Sequence, residues 1–81
     1  MTQSEMLPRI QRVFDNTFLE QVHVTPELSA DDVEEWDSLI HISLVLAIEN
    51  EFGIRFRMGE VEATRNVGDL ADLIARRTEA K

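Results

Sequence analysis

Eighty-one residues with sixteen acidic side chains against eight basic ones carry a net charge of −8 and make one small domain with a thin core. So acidic a surface repels nucleic acid and anionic membranes and attracts partners with basic surfaces, although acidity also serves solubility alone. Cysteine is absent, which excludes disulfides, thiolate nucleophiles and cysteine metal sites, and His23 and His41 are too few and too separate for a zinc site.

With 43% hydrophobic and 30% charged residues the chain is globular rather than disordered. No basic segment followed by an apolar stretch opens it, and nothing approaches the length of a membrane span, so the cytoplasm is the expected compartment and a monomer the expected state. Met1 opens the chain and the last helical pattern ends close to Lys81, which reads as one free-standing domain over residues 1–81.

The first helix is expected over about residues 4–18, where Leu7, Ile10, Phe14 and Phe18 recur at helical spacing and Val13 widens the stripe. Ser4 is the candidate cap, and Pro8 predicts that any helix before it is weak. From Leu19 to Asp37 the period is lost. A loop of that length in so small a domain is functional or carries structure of its own. Its apolar residues Leu19, Val22, Val24, Leu28, Val33 and Trp36 are expected to pin it to the core. Val22-His23-Val24 alternates like a strand that has no partner, Thr25-Pro26 marks a turn, and Ser29-Ala30-Asp31-Asp32 opens a short helical turn. Asp31, Asp32, Glu34, Glu35 and Asp37 form a carboxylate cluster. A calcium loop needs a glycine at its sixth position, and none lies between Leu19 and Phe52, so the cluster reads as a solvated acidic surface.

The second helix is expected from Ser38 to Phe52, stopped by Gly53. Asp37 is its N-cap, because a carboxylate there accepts from the free N–H groups of the first turn. Ser38 then falls at the first helical position, beside unpaired backbone donors and the positive end of the helix dipole, a favourable place for a phosphate. Leu44, Val45, Ile48 and Phe52 make one apolar stripe. Leu39, Ile42 and Leu46 make a second, which either another helix buries or a partner covers, with Ile42 expected to be the most buried of the three.

Ile54-Arg55-Phe56 reads as a short extended link. A short third helix is expected from Gly59 to about Thr64 around Val61, poorly capped by Arg57-Met58-Gly59. A last helix starts at Asn66, with Asp69 three residues on as a variant capping box, and Arg76 and Arg77 suit its C-terminal dipole. The predicted fold is all-α: a small four-helix bundle of three main helices plus a short third, with a long loop between the first two. Its core is Phe14, Leu44, Ile48, Phe52, Phe56, Val67, Leu70 and Ile74.

Asp37-Ser38-Leu39, followed by Leu44, Glu49 and Phe52 in an apolar helix, resembles the acyl carrier protein signature, and Asn66-Val67-Gly68-Asp69-Leu70 is similar to the start of that family's last helix. The resemblance covers nearly the whole chain. It implies acyl groups held as thioesters on a 4′-phosphopantetheine arm bound to Ser38, the arm being installed from coenzyme A by a phosphopantetheinyl transferase with magnesium. Peptidyl carriers usually have glycine before the serine, so Asp37 favours the acyl branch. Fatty-acid carriers usually have acids where this chain has Ile40 and Ser43, and small residues where it has Trp36; the Trp-Asp-Ser-Leu form is similar to specialised carriers of secondary-metabolite or lipid-modifying pathways. In this reading Leu39, Ile42 and Leu46 are the apolar part of a docking face, and Asp37 and Glu49 steer acyl-loading and acyl-processing enzymes with basic surfaces.

Two other readings use the same residues. A hydrolase would join Ser38 to His41 and an acid, but no strained nucleophile elbow and no oxyanion hole is visible. An unmodified acidic helical interaction module of the same fold would treat Ser38 as part of a cap only.

Overall fold

Helix α1, Gln3–Thr17, lies against both other α-helices, α2, Ser38–Phe52, and α3, Val67–Glu79. The computed structural model of the chain describes residues 3–57 and 59–79; the chain ends and Met58, and the expectations resting on them, lie outside this range. Met6, Ile10, Val13 and Phe14 give α1 a buried stripe at helical spacing, and Phe18 continues it past the last turn. Met6 is fully buried. It extends the stripe one turn upstream of Ile10, so the helix starts before Pro8, and Ser4, expected as its cap, lies inside it.

The long loop is fastened by side chains that behave like backbone. Gln11 donates from Nε2 to the Val22 carbonyl at 2.7 Å and accepts the Val24 N–H on Oε1 at 2.8 Å. Its amide is thus the partner that the alternating Val22-His23-Val24 segment, which forms no strand, otherwise lacks, and both valines are buried. Glu35 accepts the N–H groups of Leu19 and Glu20 at 2.8 and 3.2 Å. Leu19 is not the anchor expected of it: it is 97% exposed, because Phe18 takes the inward position where α1 ends. A single 3-10 turn, Ala30–Asp32, follows Ser29 as expected.

The loop also closes the start of α3. The first four N–H groups of a helix have no partner within it. Here Val67 N–H reaches the Leu28 carbonyl and Gly68 N–H the Pro26 carbonyl, both at 2.8 Å, while Asn66 takes Asp69 N–H on Oδ1 at 2.9 Å. Leu70 N–H then bonds the Asn66 carbonyl at 3.1 Å. Asn66 is therefore the cap, but the Asp69 carboxylate turns back to the N–H and guanidinium of Arg65 rather than completing the box.

The expected third helix is not a helix. Residues 59–64 form consecutive turns, with Ala63 N–H to the Gly59 carbonyl at 3.2 Å and Thr64 N–H to the Val61 carbonyl at 3.0 Å. Gly59 has φ +84°, outside the right-handed helical region, so helical geometry cannot extend back through it. Val61 is still buried, as its place in the pattern predicted. The described chain is thus an all-α bundle of three α-helices. Its core contains the expected residues except Phe56, which is only partly buried and packs on its margin.

Two carboxylates brace the segment before and beneath α3. Glu60 accepts the Arg57 N–H and pairs with Arg77; these bonds hold its carboxyl below the usual carboxylate range. Asp69 is lowered in the same way by Arg65. A carboxyl whose folded pKa is depressed contributes stability that is complete above its unfolded value of about 4 and is lost as the pH falls through the folded value. Unfolding midpoints should therefore fall as the pH drops below about 4, and Glu60→Gln should flatten that fall. Parallel acid titrations of wild type and variant by circular dichroism test this; identical acid limbs would remove Glu60 from the account.

Candidate functional site

Asp37 opens α2 from an extended backbone, φ −105° and ψ −173°, and its carboxylate accepts the Ile40 N–H at 3.0 Å. Its carbonyl takes the His41 N–H at 2.8 Å. This cap fixes where the helix begins and leaves Ser38 as the first helical residue, exposed on the surface. Gly53 ends the helix in the left-handed conformation at φ 64°, with its N–H on the Glu49 carbonyl.

One side of α2 buries Leu44, Ile48 and Phe52 in the core. The second stripe is open: Leu39 is 77%, Ile42 58% and Leu46 55% exposed. Ile42 is thus no more buried than Leu46, because α1 covers the Leu44–Ile48 side and none of the described elements covers the other. Asp37 is exposed beside this patch. Glu49 is half-buried and one of its carboxylate oxygens accepts the Phe56 N–H at 2.8 Å, which ties the chain back after the helix turns off.

The acidic cluster is less idle than its composition suggested. Asp32 bonds the N–H of Ser29, Glu35 fastens Leu19 and Glu20, and Asp37 caps α2, while Asp31 and Glu34 remain exposed. Among the described residues no group of three or more histidine, aspartate or glutamate side chains is arranged to hold a metal.

Trp36 links this cap to the core. Its ring meets Phe14 and Phe18 edge-on, with centroids 5.4 and 5.8 Å apart. Its indole N–H donates to His41 Nδ1 at 3.2 Å. Sequence spacing put Ser38 and His41 on one side of the helix; in the fold the imidazole is taken up by Trp36, and no Ser38–His41 hydrogen bond forms. Behind His41 lies a cavity of about 250 Å³, walled by Leu44, Val45 and Ile48 of α2 and by Val61, Val67 and Leu70. A shallower hollow beside Ser38 and Ile42 shares Ala30, Trp36, His41 and Glu62 with it. Ser38 is thus an exposed serine at a capped helix start, beside a hollow that shares lining residues with an apolar cavity.

Residues 20–74 match the family model described as "Phosphopantetheine attachment site". The acyl carrier protein of Thermosynechococcus vestitus is 32% identical over 99% of this chain and 100% of its own length. That of Acidothermus cellulolyticus is 42% identical over 68% of this chain and 66% of its own. The chain belongs to the acyl carrier protein family. Its fold is similar to the solution structure of the holo acyl carrier protein from Geobacter metallireducens, with 37% identity, a TM-score of 0.75 and coverage of 98% of this chain and 87% of that one. This acyl carrier protein is a carrier and not itself an enzyme. Its covalently attached phosphopantetheine supplies the thiol on which acyl groups are held as thioesters. In general, members of the family meet phosphopantetheinyl transferases and biosynthetic enzymes.

The bond from Trp36 to His41 and the fastenings made by Gln11 and Glu35 had not been legible as such. For the first, the available signal was an indole donor and an imidazole acceptor on either side of a helix start.

Proposed function

We propose that Ser38 carries the 4′-phosphopantetheine of this acyl carrier protein, and that Leu39, Ile42 and Leu46 form the apolar centre of the face by which enzymes dock on it. The observation that carries the reading is the placement of an exposed Ser38 directly after the Asp37 cap, inside the segment that matches the attachment family. The helix start favours the negative charge of a phosphodiester. The three apolar side chains on the same helix supply contact area, and Asp37 and Glu49 supply negative charge at its margin for basic partner surfaces. Ile40 and Ser43, with Trp36 before the cap, favour partners of a specialised pathway over those of housekeeping fatty-acid synthesis.

Incubated with coenzyme A, magnesium and a broad-specificity phosphopantetheinyl transferase, the protein should gain the mass of one phosphopantetheine. Ser38→Ala should gain none while keeping its helical circular dichroism. Labelling of that variant would place the arm elsewhere, and an unlabelled wild type would leave the unmodified interaction module.

A further inference from the structure

Bonds from both sides of Ser38 hold the start of α2. Asp37 accepts the Ile40 N–H on its carboxylate and the His41 N–H on its carbonyl. Trp36, one residue before this cap, donates from its indole Nε1–H to Nδ1 of His41 at 3.2 Å, with 24° between the two ring planes. That side-chain bond spans Asp37 and Ser38. Through the edge-on contacts of Trp36 with Phe14 and Phe18 it also ties the first turn of α2 to α1 and the loop. A helix start frays readily, because its first N–H groups have no partners within the helix. A bond across the first turn opposes fraying at the serine itself.

This bond is conditional on charge. An indole N–H only donates, so it needs an unprotonated ring nitrogen. A neutral imidazole has one; an imidazolium has none, whichever way the ring is turned. Imidazoles ordinarily change charge between about pH 5 and 8, where exposed carboxylates and guanidinium groups do not. The charged groups bordering the two hollows that His41 lines are Asp37 of the cap, Glu62 of the turns at 59–64 and Arg65 ahead of α3; among the described residues neither α1 nor α3 adds one. Arg65 is engaged by Asp69 at 3.0 Å, while Glu62 Oε1 lies 3.9 Å from His41 Nε2. A charged imidazole therefore loses its bond to Trp36 and has the Glu62 carboxylate on its other side.

We propose that His41 is a positioning residue for Ser38: while neutral it accepts from Trp36 and fixes the turn that presents the serine hydroxyl, and when protonated it releases that turn. The inference rests on Ser38 being the attachment point. In the transfer the Ser38 oxygen bonds the phosphorus that carries the pantetheine, the bond from that phosphorus to the adenosine bisphosphate half of coenzyme A breaks, and the hydroxyl proton leaves to a base of the transferase. His41 takes no part in these steps and acts only on where the hydroxyl stands.

Trp36 is the only tryptophan, so one indole N–H resonance reads the bond directly, with or without an arm. Between about pH 8 and about pH 5.5 it should move toward the position of a free indole and exchange faster with water, in step with the ring signals of His41. His41→Asn keeps an acceptor, Oδ1, as many bonds from the backbone as Nδ1, and that acceptor does not titrate. It should hold the indole signal steady over the same range, with His23 still present. Transfer from coenzyme A, followed by intact mass with one transferase, then gives a ratio of wild type to His41→Asn in which the enzyme's own titrations cancel. That ratio should fall by about two- to tenfold from the higher pH to the lower, the worth of one hydrogen bond. Trp36→Phe keeps an edge-on ring without the donor and should be slow at both. If either variant fails to fold, the other decides, since wild type should lead Trp36→Phe by the same factor at the higher pH and lose the lead at the lower. An indole signal that holds still as the pH falls would overturn the inference, and so would a wild-type rate that keeps its ratio to the variants throughout. Labelling of Ser38→Ala would defeat the attachment reading, and the positioning of Ser38 with it, while leaving the indole titration as it is, so the two failures are told apart.

Discussion

Phe14→Ala should lower the stability of this domain by about 3–5 kcal/mol, the largest loss expected of any single truncation here. Phe14 is fully buried and sits where α1 meets the loop that precedes α2. Its ring lies 5.1 Å from that of Phe18 and 5.4 Å, edge-on, from that of Trp36. Removing it leaves a cavity bounded by two other aromatic rings, which cannot close over it without moving the loop. Such pairs are worth about 0.5–1.5 kcal/mol beyond the area they bury, so the loss belongs at the upper part of the range. Small domains hold only about 5–15 kcal/mol in all, and a large share of the variant should be unfolded near physiological temperature. Urea titrations followed by circular dichroism and by the fluorescence of Trp36 should both show the midpoint falling, because the same ring lies at the site of the change. A midpoint near wild type would mean that Phe14 is not the hub of the core. Phe52→Ala is expected to cost less: Phe52 is 7% exposed, and the Arg9 guanidinium covering its ring, 4.4 Å from the centroid, can settle into part of the space.

Those residues show how far the sequence could be read. The inward positions of α1, α2 and α3 followed from helical spacing, because a side chain on a regular helix has little choice of face once the stripe is known. The limits of α2 followed from Asp37 and Gly53, residues whose side-chain acceptor and positive φ serve a helix start and a helix stop. Local reasoning failed where a long-range partner decides the outcome. Leu19 faces solvent because Phe18 wins the inward place. The turns at 59–64 are held by Arg57, Val61 and a glycine at φ +84° rather than by a helical repeat. Gln11 completes a strand-like pair eleven residues away with its side-chain amide. At the candidate site, the serine's place, its cap and a second apolar stripe were legible from spacing; that the stripe stays open was not, since another helix could have buried it. The bond from Trp36 to His41 was not, since it depends on how the loop before α2 places the indole in space.

Leu46→Ala should weaken docking of the holo carrier on its transferase or acyltransferase by roughly 1–3 kcal/mol, with the fold intact. Leu46 is 55% exposed and stands in the same stripe as Leu39 and Ile42, so truncation removes contact area without opening the core. The charged margin should matter less. Asp37→Asn keeps the cap, because asparagine is as good an N-cap as aspartate, and removes only the charge. Glu49→Gln likewise keeps an acceptor for the Phe56 N–H. Each isolated charge at an exposed margin is expected to change binding by less than about 1 kcal/mol. Salt separates the two contributions, since charges are screened within about 10 Å at 0.1 M and apolar burial is not weakened in this way. Titrations at two salt concentrations should therefore show Leu46→Ala binding more weakly at both, while Asp37→Asn and Glu49→Gln converge on wild type as salt rises. Wild-type binding by Leu46→Ala, together with loss of binding by Glu49→Gln at low salt, would make the docking electrostatic and leave the open stripe on α2 without this role.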